Sequence, residues 1–407
     1  MTVADFRTRI PAINSWLLAG VIACIPVLIT PAYVLTGVML LLWLIEGRLG
    51  EKLRALAGEP LVWVFAGYFG VYLLSLAWSD DLDWGWRMVS KQKLFLFLGL
   101  YLSVARKEHF ARYVSAFLAS MALCEGLAFY NWLDLHVWHA LPEGVRVDKN
   151  PLDTSPFVDR ILYAPALALA GYLAGHRLLF ESESVRQRMM YGLLLCTTVL
   201  NLVLSGGRAG LLGFVVLMVL LLFQRLRHRR GLAALASLLL VTGVVLGSYF
   251  GSDFLRGRLE QGVDEIRNFN ERPNKSVTLR VVYAMNAWRL FAEQPLLGVG
   301  VGDYPVEYAR MNALHTPAWK PLWNPHNEYL LAMASAGLPG AFAVLMVLFF
   351  PLVRRGPDDG RAYVRIAVPL LFIVLCLLES YLMRSNTKLM YVVFMAILWC
   401  DVRGRKA

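Results

Sequence analysis

Charge is scarce in this chain. Aspartate, glutamate, lysine and arginine make up 17% of its 407 residues, against roughly 25% in soluble domains. That shortage excludes a water-soluble surface for most of the chain. Cysteine is sparse as well: Cys24, Cys124, Cys196, Cys376 and Cys400 lie far apart within apolar stretches. An odd, scattered set supplies neither a disulfide framework nor a zinc site, and these thiols read as small buried hydrophobes. Internal repeats and low-complexity tracts are missing too. No small-residue cleavage site leads from the first apolar run into a soluble domain, so the run behind Arg7 and Arg9 is expected to stay as an uncleaved span.

What fills the chain is apolar. Hydrophobic residues reach 58% and the mean hydropathy is +0.54. Apolar runs fall at about 13–30, 32–46, 60–78, 94–106, 111–133, 161–180, 189–205, 209–223, 232–251, 327–352, 362–380 and 387–401. A helix needs about 17–25 such residues to cross a bilayer, and open strands cannot satisfy their backbone in lipid. The pattern predicts an all-α polytopic membrane protein of about twelve transmembrane helices. The first two runs are parted only by Thr30-Pro31, which suits either a hairpin or one broken element.

The formal net charge of +11 is explained by position. Basic residues gather in short connectors, most densely in Arg225-Leu226-Arg227-His228-Arg229-Arg230, as the positive-inside rule requires of cytoplasmic loops. No nucleic-acid-binding pattern accompanies them, and no nucleic-acid partner is expected. Both termini then fall in the cytoplasm. Segments 79–93, 134–160, 252–326 and 381–386, with the turn Ser205-Gly206-Gly207-Arg208, fall on the far side, the periplasm in a bacterial inner membrane.

Segment 252–326, between the ninth and tenth spans, is the one long stretch a bilayer would reject. Its nine Lys or Arg against eight Asp or Glu make the near balance of a folded surface. The spacing of Leu279, Val282, Tyr283, Asn286, Leu290 and Phe291 predicts an amphipathic helix over 277–292, stopped by Gln294-Pro295. The apolar turn 296–304 follows. The segment is expected to be a partly helical periplasmic loop folded against the bundle, and residues 1–407 to form a single membrane-embedded domain.

Three residues on that side could carry chemistry. Arg208, in Leu204-Ser205-Gly206-Gly207-Arg208, either snorkels to the interface or meets a phosphate with paired donors, since glycines allow close approach. Arg280 shares its loop with eight other basic residues, but lies on the expected helix upstream of His326. His326, in Asn324-Pro325-His326-Asn327-Glu328-Tyr329, either caps a helix or accepts a proton near neutral pH. Asn324 and Pro325 are expected to form the helix start, and Asn327 and Glu328 to orient the ring or bind sugar hydroxyls. Lys91, Lys93, Lys149 and Arg160 could add to an anion site, while His136, His139 and His315 are looser competitors of His326.

Other patterns are weaker. Asp81-Leu82-Asp83 mimics an Asp-x-Asp metal site, but lies on a side without nucleotide sugars and beside Trp84 and Trp86, which suit an interfacial belt. Gly298-x-Gly300-x-Gly302 has no βαβ unit around it, so a tight turn is the better reading. Glu125 within a span is costly in lipid and is expected to pair inside the bundle.

Together, Ser205-Gly206-Gly207-Arg208, Leu279-Arg280 with Trp288-Arg289-Leu290-Phe291, 295–300 and Asn324-Pro325-His326-Asn327-Glu328-Tyr329 resemble the O-antigen ligase/polymerase superfamily. The motifs cover roughly 200–335, and the length and single compact loop look most like its ligases. Polymerases of O-antigen and protein O-oligosaccharyltransferases share the same motifs. The resemblance implies a glycosyltransferase that moves a glycan from undecaprenyl diphosphate to a lipid A-core hydroxyl at the periplasmic face, with no cofactor or metal and with inversion. It further implies that Arg208 and Arg280 act on the diphosphate and that His326 activates the acceptor. A polyisoprenoid or lipid transporter would instead show two related halves and ionisable groups near the midplane. Here the distinctive polar residues cluster at one face.

Overall fold

The computed structural model describes residues 3–138, 153–250, 253–269 and 276–400. Among them every regular element is a helix. The first half holds α1 (Val3–Cys24), α2 (Ile29–Glu46), α3 (Leu49–Ala57), α4 (Pro60–Leu74), α5 (Leu82–Gln92), α6 (Leu98–Val104), α7 (Phe110–Leu133), α8 (Arg160–His176) and α9 (Val185–Ser205). The second half adds α10 (Arg208–Arg225), α11 (Arg230–Phe250), α12 (Asp253–Arg267), α13 (Ser276–Glu293), α14 (Tyr304–His315), α15 (Glu328–Val353), α16 (Ala362–Leu378) and α17 (Ser385–Trp399).

Each of the twelve apolar runs is helical, and seven helical stretches among the described residues are long and apolar enough to cross a membrane. Ala362–Leu378 is apolar but shorter. Large apolar side chains such as Trp63, Leu74, Leu123 and Phe342 stand exposed, as a lipid-facing surface requires and a water-facing one avoids. The chain is a multi-pass helical membrane protein.

The break between the first two helices falls at 25–28, not at Thr30-Pro31. Pro31 sits inside the first turn of α2, where its missing N–H would have had no helical partner. The run 94–106 is a 3-10 turn (Lys93–Phe97) followed by the short α6. Gln294-Pro295 does end a helix, since α13 stops at Glu293.

Helix α17 is the axis of the bundle, with every residue from Asn386 to Trp399 buried. It packs on α6, α8, α16 and the Lys93–Phe97 turn. A helix wrapped by others need not be long or uniformly apolar, which is how Lys388, fully buried, is accommodated. Helices α10 and α16 run antiparallel: Gly213 abuts Leu371 and Leu375, while the Gln224 amide donates to the Tyr363 carbonyl at 3.2 Å. At the opposite end of the bundle, Arg354 pairs with Glu59, and Arg361 and Arg365 pair with Asp359 at 2.9 Å each. Trp399 lies beneath Arg354 and Arg365.

Within 252–326, α12, α13 and α14 pack in sequence, and α13 lies against α15. The glycine turn after α13 docks into a break in α15 at Ala336 and Gly337. There the Val299 and Gly300 N–H groups donate to the Ala334 and Ser335 carbonyls at 2.9 and 3.0 Å, and Leu338 N–H donates to the Pro295 carbonyl at 2.9 Å. The loop thus supplies the backbone partners that the broken helix lacks. Gly298 and Gly337 have φ of +69° and +59°, and a Cβ on either would come within 2.7 Å of the facing backbone.

Candidate functional site

The sequence Asn324-Pro325-His326-Asn327 builds a turn before it builds a helix. The Asn324 Oδ1 accepts the His326 N–H at 3.0 Å, a side-chain turn for which asparagine is suited. His326 then takes a left-handed backbone, φ +52°, uncommon outside glycine. Asn327 is the true N-cap of α15, accepting the Leu330 N–H at 3.0 Å. The expected helix start at Asn324-Pro325 therefore lies three residues too early, because Asn324 spends its oxygen on the turn.

The ring of His326 is held from a distant segment. With α16 ending at Leu378, Glu379 falls in the connection to α17, outside both helices. The His326 Nδ1–H donates to Glu379 Oε2 at 2.6 Å. Glu379 Oε1 accepts from the Asn324 amide at 3.0 Å and from the Ser380 N–H at 2.9 Å, and the Ser380 hydroxyl donates back to Asn324 at 2.7 Å. Arg384 approaches the same carboxylate at 3.4 Å. Burial acts to raise the Glu379 pKa, but the hydrogen bond and charge of His326, then Arg384, outweigh it and bring it down to about 2. The carboxylate is thus an acceptor that fixes the Nδ1–H tautomer and leaves Nε2 to take a proton.

The loop supplies the other wall. Tyr283 of α13 stacks on His326, centroids 5.9 Å apart and planes 27° apart. Arg280 is one turn earlier on the same face of α13, exposed, and near enough to Tyr381 for its charge to act on that phenol. The helix is anchored beneath by Asn286, which donates to the Thr316 hydroxyl at 2.7 Å and accepts from Arg289 at 3.0 Å.

Arg208 starts α10 and is exposed. The glycines around it serve helix contact: a Cβ on Gly207 or Gly210 would come within 2.4 Å of the Ala164 Cβ in α8. That approach also brings the Arg160 carbonyl to the Gly207 turn, so the starts of α8 and α10 lie side by side. Arg208 precedes Gly213 by five residues and Glu379 follows Leu375 by four, rises of about 7.5 and 6 Å at 1.5 Å per residue. With α10 and α16 antiparallel and Gly213 against Leu375, Arg208 stands at the level of Glu379.

The remaining expected residues divide. Lys91 lies 4.9 Å over the Trp323 ring, directly before Asn324. Arg160 uses its N–H on Asp153 at 3.1 Å. Asn327 also donates to the Leu377 carbonyl at 3.1 Å, tying α15 to the end of α16. Glu328 faces inward, fully buried, accepting from the Tyr68 hydroxyl at 3.0 Å and the Leu382 N–H at 2.9 Å; it is Glu379, not Glu328, that orients the ring. His315 is exposed at the end of α14. His139 and Lys149 lie outside the described residues. Asp81 caps α5 by accepting the Trp84 N–H at 2.9 Å, and Asp303 accepts the Asp80 and Asp81 N–H groups. Among the described residues no group of three His, Cys, Asp or Glu is gathered as a metal would need. Glu125 accepts from Thr197 and Thr198 at 2.5 and 2.6 Å, between α7 and α9.

Sequence reasoning missed Glu379 and Arg384. The signal was present as a carboxylate closing the apolar run 362–380, an expensive residue at a span end, with an arginine five residues on.

Residues 193–345 match the family described as O-antigen ligase, which supports membership of the chain in that family. The match contains Arg208, Arg280 and His326 and ends before Glu379. The chain is also 22% identical over 306 residues to a Haemophilus influenzae (strain Rd) protein named only as uncharacterized, 72% of each being covered.

Proposed function

We propose that this member of the O-antigen ligase family transfers a glycan from undecaprenyl diphosphate to a sugar hydroxyl of a lipid A-core acceptor, at the periplasmic face of a bacterial inner membrane. The observation that carries the reading is the His326–Glu379 pair at 2.6 Å, on the same level as Arg208 and flanked by Arg280. A carboxylate behind Nδ1 makes Nε2 a base and stabilises the imidazolium that forms.

In the reaction, the acceptor oxygen attacks the anomeric carbon of the donor sugar as its proton passes to His326 Nε2. The bond from that carbon to the diphosphate oxygen breaks, and the diphosphate leaves with the electron pair. Arg208 and Arg280 stabilise the charge growing on the leaving group, with guanidinium forks that suit phosphate oxygens. One displacement inverts the anomeric carbon. The donor's lipid tail enters sideways between helices, which accounts for a site at the bundle's end. The whole chain acts as one membrane-embedded catalytic domain, with 252–326 as a wall of its site.

The test is purified protein in lipid nanodiscs with lipid-linked glycan, with and without lipid A-core. Glycan joined to the acceptor, with no chain growth from donor alone, supports ligation. Chain growth from donor alone would overturn ligation in favour of polymerisation.

A further inference from the structure

A second pair of cations lies beside His326, on the side where α5 packs. Lys91, near the end of α5, sits over Trp323 at 4.9 Å. Trp84, seven residues earlier on the same helix, meets Trp323 edge to face at 5.8 Å. The backbone of Lys91 is fixed from below, because buried Lys388 donates to its carbonyl. Lys388 is one turn past Arg384 on α17, its N–H donating to the Arg384 carbonyl at 3.0 Å. Lys91 and Arg384 are thereby brought to one place, and burial and then the Arg384 charge lower the Lys91 pKa.

Glu379 is the carboxylate recorded on Arg384, and it already serves His326, Asn324 and Ser380. The Arg384 Nε is buried with no hydrogen-bond partner among the described residues. A donor in that state is costly unless a ligand completes it. Next to Lys91 a groove of about 610 Å³ runs along α5, lined by Trp84, Trp86, Arg87, Met88, Ser90 and Lys91. Two indole faces and two cations suit a sugar chain that carries negative charge.

We propose that Arg384 and Lys91 form an anion subsite for a phosphate group on the acceptor glycolipid, with the sugars beside it lying along the Trp84–Trp86 groove. The assignment to the acceptor rests on the transfer reading above. In a single displacement the nucleophile must approach opposite the leaving group, and the diphosphate is given there to Arg208 and Arg280. Helix α10 reaches the 379–384 connection through α16, whereas α5 reaches it through the Lys93–Phe97 turn on α17. The two substrates would thus enter by different neighbours.

The experiment measures binding of two probes to the full chain in nanodiscs, so it reads out whether or not transfer occurs. The probes are phosphorylated lipid A-core and undecaprenyl diphosphate. Arg384→Gln and Lys91→Gln should each weaken lipid A-core binding about tenfold, the scale of one charge-assisted contact, and Arg384→Lys should recover part of it. With enzymatically dephosphorylated lipid A-core, variants and wild type should bind alike. Unchanged binding of the phosphorylated acceptor overturns the proposal. So does an equal loss with the dephosphorylated one, or a loss confined to undecaprenyl diphosphate. Failure of the transfer reading would appear separately, as absence of glycan product from wild-type protein.

Discussion

His326 is held by a residue 53 positions away, its ring nitrogen meeting the Glu379 carboxylate at 2.6 Å. The sequence marks Asn324-Pro325-His326-Asn327 as the approach to a helix, because an asparagine and a proline before a helix have local consequences, but it does not show the turn that sets the helix start at Asn327. Glu379 was not legible in the same way. It closes an apolar run, and nothing local says that α16 folds back to place its end against the turn at Asn324. Glu328 failed for the converse reason: its position beside His326 is obvious, but which face of α15 it occupies depends on Tyr68 and Leu382. The account predicts that Glu379→Gln keeps the fold and lowers kcat by about 10²–10⁴-fold, the range for losing a base's orienting group. Glu379→Asp should restore part of the rate, and the pH–rate profile of the glutamine variant should shift, which a merely structural role would not produce. Arg280→Ala should abolish transfer, while Arg208→Lys, keeping charge without the fork, should retain only a small fraction.

Acid stability carries a second signature of Glu379. Its pKa is depressed from an ordinary 4.5 to about 2. A depressed carboxyl contributes stability that is fully present above its unfolded value and is lost as pH falls through the folded one. Thermal unfolding should therefore show a loss between about pH 4.5 and 2 that is reduced in Glu379→Gln. An identical acid limb in both proteins would contradict the ion pair.

At the scale of elements, the glycine turn and the break in α15 are one joint. The expected helix over 277–292 and its stop at Gln294-Pro295 emerged from periodicity and proline chemistry. The joint itself did not, since a helix break filled by a loop 40 residues upstream depends on tertiary contact. Gly298→Ala or Gly337→Ala forces a side chain into a left-handed backbone facing other main chain and should cost about 1–3 kcal/mol. Limited proteolysis should then cut 252–326 faster than in wild-type protein, while substitution of the unhindered Gly243 should leave the cleavage rate unchanged.

For the whole molecule, composition and hydropathy announced a helical membrane bundle, and every apolar run is helical. They could not reveal that α17 is the enclosed axis, because enclosure depends on neighbours rather than on its own apolarity. The proposed site is correspondingly dispersed: Arg208 comes from the bundle, Arg280 and Tyr283 from the loop, and Glu379 and Arg384 from the α16–α17 connection. Segment 252–326 made by itself should transfer no glycan, as it lacks Arg208 and Glu379. The most direct measurement is the single-turnover rate of glycan transfer to lipid A-core by wild-type and His326→Ala protein in matched nanodiscs. The account predicts product from the wild type and none above background from the variant, with donor binding retained; transfer by His326→Ala at the wild-type rate would contradict it.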